Sequence, residues 1–345
     1  MQYFDVFNGD ADGLCALHQL RLSYPRRAAL VTGVKRDIDL LRRVPRLPAA
    51  VVTVLDVSLD RNREALQSLL QCGMQVDYFD HHYAGEIPAD AGLHAHIDTA
   101  AQVCTSMLVD RHLGGAQRVW AVVGAFGDNL GDAALQLAQS IGLSAACIAA
   151  LQDLGENLNY NAYGESEADL FAHPAALYEC LHRYADPLQF IALEPLLQKI
   201  RAGRAQDLEL ARHVRPLIEF SSGRVFLLPD AAWSRRVRGV WGNELAREAP
   251  DCAHAVLTQN PQGSYVVSVR APLRAGRDAD RLCRQFPGGG GRAAAAGIDC
   301  LPQARLEHFV QAFEQTFGAP GDCRISIGLA VDSLACDGER GPRVP

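Results

Sequence analysis

Three short acidic segments each close an apolar run. Asn8-Gly9-Asp10-Ala11-Asp12-Gly13 follows Tyr3–Phe7, Asp56 follows Val51–Leu55, and Asp80-His81-His82 follows residues 76–79. A fourth, Gly127-Asp128-Asn129, follows the apolar run 119–126. Taken alone, a D-x-D-G is an ordinary turn. Repeated four times, acid or imidazole just beyond an apolar run points to one crevice at the carboxyl ends of parallel strands. Carboxylates gathered there repel and raise one another's pKa unless cations compensate them. Two divalent cations supply that charge, activate water, orient a phosphodiester and neutralise its leaving oxygen. Oxygen-rich ligation with one or two imidazoles favours Mn²⁺ or Mg²⁺, with Zn²⁺, Fe²⁺ or Co²⁺ as alternatives.

The elements that would position these groups alternate. Residues 3–7, 28–32, 51–55 and 74–79 read as strands, and 14–22, 61–70 and 100–112 as helices. Short β-branched strands alternating with helices predict an α/β fold with a mostly parallel sheet covered on both faces and joined by right-handed crossovers. The run 119–126 fits either a helix or a strand, 132–151 is helical in composition, and 155–164 reads as an ordered polar loop. Helical periodicity returns over 175–184 and 190–215. A second α/β unit begins near Val225, with strands at 225–228, 253–259 and 265–269, helices at 237–249 and 278–285, and an amphipathic helix at 303–317.

That second unit carries a glycine run, Gly288-Gly289-Gly290-Gly291-Arg292, before Ala293-Ala294-Ala295-Ala296-Gly297. Glycines expose backbone amides to an anion, and the alanines suit a helix that starts against a ligand or a wall. A flexible loop is the plainer reading. Ser268-Val269-Arg270 ends a strand, and Arg274, Arg277, Arg281 and Arg284 follow at near-helical spacing. Arg270 is the candidate phosphate contact, with Ser268 in support; Arg274, Arg277, Arg281 and Arg284 individually read as solvated, as His18, His94, His96 and His112 read as packed or solvent-facing. Tyr160 and Tyr163 read as loop anchors before they read as base-stacking platforms.

Composition narrows the setting. The chain has 345 residues, 48% of them hydrophobic, enough for two domains. Ten cysteines are scattered without a C-x-x-C pair, which argues against structural zinc or a disulfide framework. No run reaches the roughly 20 apolar residues of a membrane span, and the first residues lack the pattern of a secretory signal, so a cytoplasmic protein is expected. The net charge of −7 is uneven: residues 1–200 carry 14 basic and 24 acidic side chains, and residues 201–292 carry 15 and 9. An acidic, metal-bearing half and a basic half suit an anionic substrate, although ordinary solvated surfaces give the same counts.

These motifs resemble the DHH phosphoesterase superfamily, in the branch with a C-terminal DHHA1 domain that includes oligoribonuclease-like, cyclic-dinucleotide-related and RecJ-type enzymes. Asp80-His81-His82 resembles the name-giving motif, Asp10-Ala11-Asp12-Gly13 the first, Asp56 the second and Asp128 the fourth. The glycine–alanine segment resembles the substrate loop of DHHA1 domains, with Arg292 in place of the usual histidine. Ser268 and Arg270 resemble its strand-end element.

The resemblance implies a metal-binding catalytic domain over 1–190, a helical connection over 191–220, a DHHA1 substrate domain over 221–332 and a flexible tail over 333–345, with an active-site cleft between the domains. It implies that Asp10 and Asp56 hold one metal and that Asp12, Asp56, His81 and Asp128 hold the other. Catalysis then falls to Asp80, His81 and His82, and substrate contacts to Ser268, Arg270, Gly289, Gly290, Gly291 and Arg292. Two departures stand out. Val6 replaces a ligating histidine, and Asn8 stands where RecJ-like members carry an acid, so Asn8 and water would complete the first site.

The expected activity is metal-dependent hydrolysis of short oligonucleotides, dinucleotides or related nucleotides, without a membrane partner and with a homodimer left open. A RecJ-like exonuclease acting on single strands is the alternative within enzymes. A nucleotide-binding regulatory protein with reduced catalysis is the alternative outside them, supported by Val6 and Arg292 and opposed by the retained carboxylates.

Overall fold

The computed structural model describes residues 1–318 and the backbone of Ile325–Ser326. The expected flexible tail, the end of the expected substrate domain, and Cys323 and Cys336 lie outside the described residues. By contact, the chain divides into two units, one formed by residues 1–210 with 231–237, the other by 211–230 and the residues from 238 onward.

In the first unit, β1 (Tyr3–Phe7) leads through α1 (Ala11–Ser23) to β2 (Ala29–Val31). β3 (Val51–Leu55), α2 (Leu59–Gln71), β4 (Gln75–Asp80) and β5 (Leu93–Ile97) follow. The five strands form one sheet in the order β2-β1-β3-β4-β5, every pair parallel. β5 is a strand the sequence reading left untyped, because His94 and His96 interrupt its apolar pattern. α3 (Thr105–His112), α4 (Arg118–Gly127), α5 (Gly131–Ser140), α6 (Ala145–Asn161), α7 (Pro174–Leu181), α8 (Pro187–Leu193) and α9 (Pro195–Arg212) complete the unit.

The pleat sends successive side chains of each strand to opposite faces. Val6, Val54 and Tyr78 are paired in register and enter one apolar cluster with Leu59, Leu66 and Leu69 of α2. Phe7, Leu55 and Phe79, also in register, enter a second cluster with Leu14 and Leu17 of α1, Val123 of α4 and Leu154 of α6. The sheet is therefore covered on both faces, as a parallel sheet of continuous apolar strands requires.

The second unit contains β6 (Ile218–Phe220), β7 (Gly223–Leu228), α10 (Ala232–Glu248, whose first turns belong to the first unit), β8 (Ala253–Gln259), β9 (Ser264–Arg270), α11 (Ala279–Cys283), β10 (Gly289–Gly291), β11 (Ala295–Pro302), α12 (Leu306–Phe317) and β12 (Ile325–Ser326). Its sheet runs β10-β11-β9-β8-β7-β6-β12, with β7 and β8 parallel across α10 and the other pairs antiparallel. Among the described residues no helix is long and apolar enough to cross a membrane.

Two local expectations are corrected. Residues 155–161 belong to helix α6 rather than to a loop: Asn157, Asn159, Tyr160 and Asn161 are buried and bonded, Tyr160 Oη to Asp207 Oδ2 at 2.8 Å and Asn161 Nδ2 to the Ala172 carbonyl at 2.9 Å. The alanines after the glycine run start no helix. Gly290 pairs with Gly297, and Ala295 with Arg270, in an antiparallel ladder. Strand pairing overrides the helical preference of alanine here.

Candidate metal centre

Because Phe7, Leu55 and Phe79 are in register, the residues just beyond them emerge side by side. The Asn8 amide bonds to the Leu55 carbonyl at 3.2 Å and the Asp56 amide to the Phe79 carbonyl at 3.0 Å, which extends the ladder into the acidic segments. Asp56 has a φ of +59°, an uncommon left-handed conformation for a residue with a side chain and typical of strained functional positions.

Asp10 caps α1. Its Oδ1 accepts the amides of Asp12 and Gly13, each at 3.1 Å. Gly13 must lack a Cβ, because one would lie 2.2 Å from the Asn8 carbonyl oxygen. Asp12 points the other way, to the start of α3, where Oδ2 accepts the Thr105 amide at 2.7 Å and Oδ1 the Ser106 amide at 2.8 Å. Asp128 ends α4, brought close by Gly127, where a Cβ would lie 2.2 Å from the Ala11 Cβ.

His81 Nε2 lies 3.4 Å from Asp56 Oδ1 and 3.7 Å from Asp128 Oδ2. His82 Nδ1 lies 2.7 Å from Asp80 Oδ1, and Thr105 Oγ1 donates to Asp56 Oδ1 at 3.2 Å. Two donor groups have ligand atoms within 4.8 Å of one another: Asp12, His81 and Asp128, and Asp56, His81 and His82. Asp10, Asp56, His81, His82 and Asp128 line a cavity of about 460 Å³. Asp80 itself is fully buried behind His82.

The electrostatics follow from this crowding. Burial and the neighbouring Asp10 and Asp12 carboxylates push Asp56 well above the usual carboxylate range. Burial and Asp12 lift Asp128 to about 6. Burial would raise Asp10 as well, but the Lys35 ammonium outweighs it and holds Asp10 below its ordinary value. Burial works against a charge on His82, and the bond to Asp80 with the nearby Asp56 reverses that, raising it to about 9. Carboxylates so strained by mutual repulsion, with imidazole beside them, are a donor set that fits a divalent cation.

Lys35 is the member the sequence reading missed. Its Nζ lies 2.6 Å from Asp10 Oδ2, 3.0 Å from Asn159 Oδ1 and 3.5 Å from Asp128 Oδ1. The signal was present: Lys35 follows β2 as the acids follow β1, β3 and β4. Arg61, an exposed side chain on α2, was also missed and lines the same cavity. Asn8 braces the loop, with Oδ1 accepting the Asp10 amide at 3.3 Å and Nδ2 donating to the Lys35 carbonyl at 3.3 Å. Val6 is fully buried in apolar contacts and offers no donor.

In the second unit, Arg270 is tied down locally: Nη1 donates to Ser268 Oγ at 2.8 Å and Nε to Asn243 Oδ1 at 2.7 Å. Arg292 is exposed at the turn between β10 and β11, and Gly289, Gly290 and Gly291 form β10.

No family model and no curated protein matches the sequence. Solved structures do match its fold. A RecJ exonuclease bound to manganese gives a TM-score of 0.59 at 16% identity, over 91% of this chain and 89% of that one. The chain has a RecJ-like fold. RecJ in complex with Mn²⁺ from Thermus thermophilus shares this fold, with a TM-score of 0.51 at 18% identity over 91% of this chain; the match spans only 51% of that chain. A pGpG-specific phosphodiesterase, PggH, from Vibrio cholerae gives 0.52 at 14% identity over 91% of this chain and 98% of that one. The α/β architecture expected from the sequence is thereby borne out.

Proposed function

We propose that the chain is a divalent-metal-dependent phosphodiesterase acting on short oligonucleotides or dinucleotides. The observation that carries this reading is the convergence of Asp56, His81 and Asp128 on one cavity, with Asp12 within ligand distance of His81 and Asp128, in the fold of nucleic-acid and dinucleotide phosphodiesterases. A volume of about 460 Å³ suits a small substrate.

Asp12, His81, Asp128 and Asp56 would hold the cation, with Mn²⁺ the first candidate and Mg²⁺ the second. When bound, it polarises the phosphoryl oxygens and lowers the pKa of an attacking water. The chain supplies the rest. The helix α3 amides fix the Asp12 carboxylate, so no reorganisation is needed on binding. His82, held by Asp80 at the cavity wall, donates a proton to the leaving oxygen. Arg61 and Lys35 attract the phosphate into the cavity. On the second unit, Arg292 offers an exposed guanidinium to a phosphate, whereas the Gly289 amide is already spent on the Phe286 carbonyl. Eight described cysteines are all free, which suits a reducing, cytoplasmic setting.

One observation favours a longer strand. A second cavity of about 590 Å³ shares Asp60 and Arg61 with the first and is lined by Arg42, Arg46 and Arg63. A single-strand exonuclease would use such a basic extension. Turnover of 5′-phosphorylated dinucleotides and longer single strands, measured with Mn²⁺ across a salt series, separates the two. Preference for dinucleotides with a shallow salt slope supports the short-substrate reading, and preference for long strands with a steep slope overturns it.

A further inference from the structure

We propose that this centre binds a single divalent cation and that the Lys35 ammonium permanently fills the position of the second. The inference rests on the divalent-cation reading of the cluster.

The geometry singles out Asp10. Its Oδ1 is committed to the Asp12 and Gly13 amides, and its Oδ2 lies 2.6 Å from Lys35 Nζ. The same Nζ reaches Asn159 Oδ1 at 3.0 Å and Asp128 Oδ1 at 3.5 Å. One cation thus gathers oxygens from α1, α6 and the end of α4, as a metal ion would, but it is covalently attached. The lysine is locked in place on both sides of its backbone: its amide donates to the Ala162 carbonyl at 3.0 Å, and its carbonyl accepts Asn8 Nδ2 at 3.3 Å.

The remaining donors do not rebuild a second site. Val6 contributes none, being fully buried in the apolar cluster that also holds Val54 and Tyr78. Among the described residues, the two donor groups both depend on His81, and neither includes Asp10. His81 presents the same Nε2 to Asp56 and to Asp128, and one imidazole nitrogen ligates one ion. The two groups are therefore alternative outlines of one site.

A lysine in this position changes what the centre can do. An ammonium has no ligand-exchange chemistry and cannot activate a water, but it carries three donors. Two are used on Asp10 and Asn159, and the Asp128 contact is long, so a phosphoryl oxygen in the cavity can take the third. Lys35 is thus a fixed electrostatic clamp beside a one-metal site.

The test is a count of bound Mn²⁺ by equilibrium dialysis with metal analysis, paired with electron paramagnetic resonance, on the full chain and three variants whose folding is checked by circular dichroism. Wild type should bind one ion per chain and show an uncoupled six-line spectrum. Lys35→Ala should bind a second, weaker ion, with signal from exchange-coupled manganese. Asp10→Asn should change Mn²⁺ affinity by less than about threefold, while Asp128→Asn should weaken it by about 10-fold or more. Two ions in wild type, one ion in folded Lys35→Ala, or equal losses in Asp10→Asn and Asp128→Asn would each overturn the proposal. If Lys35→Ala does not fold, the wild-type count and the Asp10→Asn comparison decide it. A wild-type count of zero, by contrast, defeats the metal reading of the whole centre and the proposal with it.

Discussion

Asp12 and Thr105 are 93 residues apart in sequence, yet Asp12 Oδ2 accepts the Thr105 amide at 2.7 Å while Oδ1 accepts that of Ser106. The first turn of α3 thereby orients a carboxylate that belongs to α1. Asp12→Asn replaces one acceptor by an NH₂ that faces a backbone N–H. Chemical denaturation should show a loss of about 1–3 kcal/mol, from the amide left unpaired in a fully buried setting. Calorimetry should show Mn²⁺ binding weakened by about 10-fold or more.

Asp80 is fully buried, and its Oδ1 lies 2.7 Å from His82 Nδ1. Asp80→Asn should lower turnover by about 10–100-fold, the range for groups that orient an active-site histidine. Mn²⁺ affinity should change little, because His82 acts on the leaving oxygen in this account. A parallel fall in Mn²⁺ affinity would instead make His82 a metal ligand.

Arg21 and Asp5 form a buried pair beneath α1, at 2.8 Å and 2.5 Å, with Thr53 Oγ1 accepting a further bond from Arg21. Arg21→Met strands a buried carboxylate and should cost about 3–5 kcal/mol in a urea titration. The double variant Asp5→Leu with Arg21→Met removes that uncompensated charge and should recover most of the loss.

His18 is fully buried, with Nε2 on the Tyr184 carbonyl at 2.9 Å and the ring edge-on to Trp120. Burial lowers its pKa from 6.5 to about 3, an effect the Tyr184 bond only partly offsets. The unfolded chain binds a proton that the folded chain refuses, so this contribution is complete above pH 6.5 and is lost as pH falls toward 3. The slope is at most about 1.4 kcal/mol per pH unit. His18→Gln should flatten the acid limb of a Tm-versus-pH curve between pH 6 and pH 4.

The sheet and most of the centre were legible because both depend on local pattern. Val51–Leu55 is a β-branched run, and strand register forces whatever follows Phe7, Leu55 and Phe79 onto one edge. Features set by distant partners were not. Residues 155–161 looked like a loop because Asn159, Tyr160 and Asn161 are polar, yet Lys35, Asp207 and Ala172 satisfy them inside a helix. The run 293–296 looked helical because alanine favours helices, and β9 recruits its end into a strand. Lys35 was overlooked because basic side chains at strand ends are usually solvated. Only its distance to Asp10 shows otherwise.

The central claim is that the carboxylate–imidazole centre hydrolyses phosphodiesters through a bound divalent cation. The most direct measurement is release of mononucleotide from a 5′-phosphorylated dinucleotide by chelator-stripped protein as Mn²⁺ is added, with His81→Gln alongside. The account predicts no turnover in chelator, saturable turnover with Mn²⁺, and none from folded His81→Gln. Equal turnover with and without Mn²⁺, or full activity in His81→Gln, would contradict it.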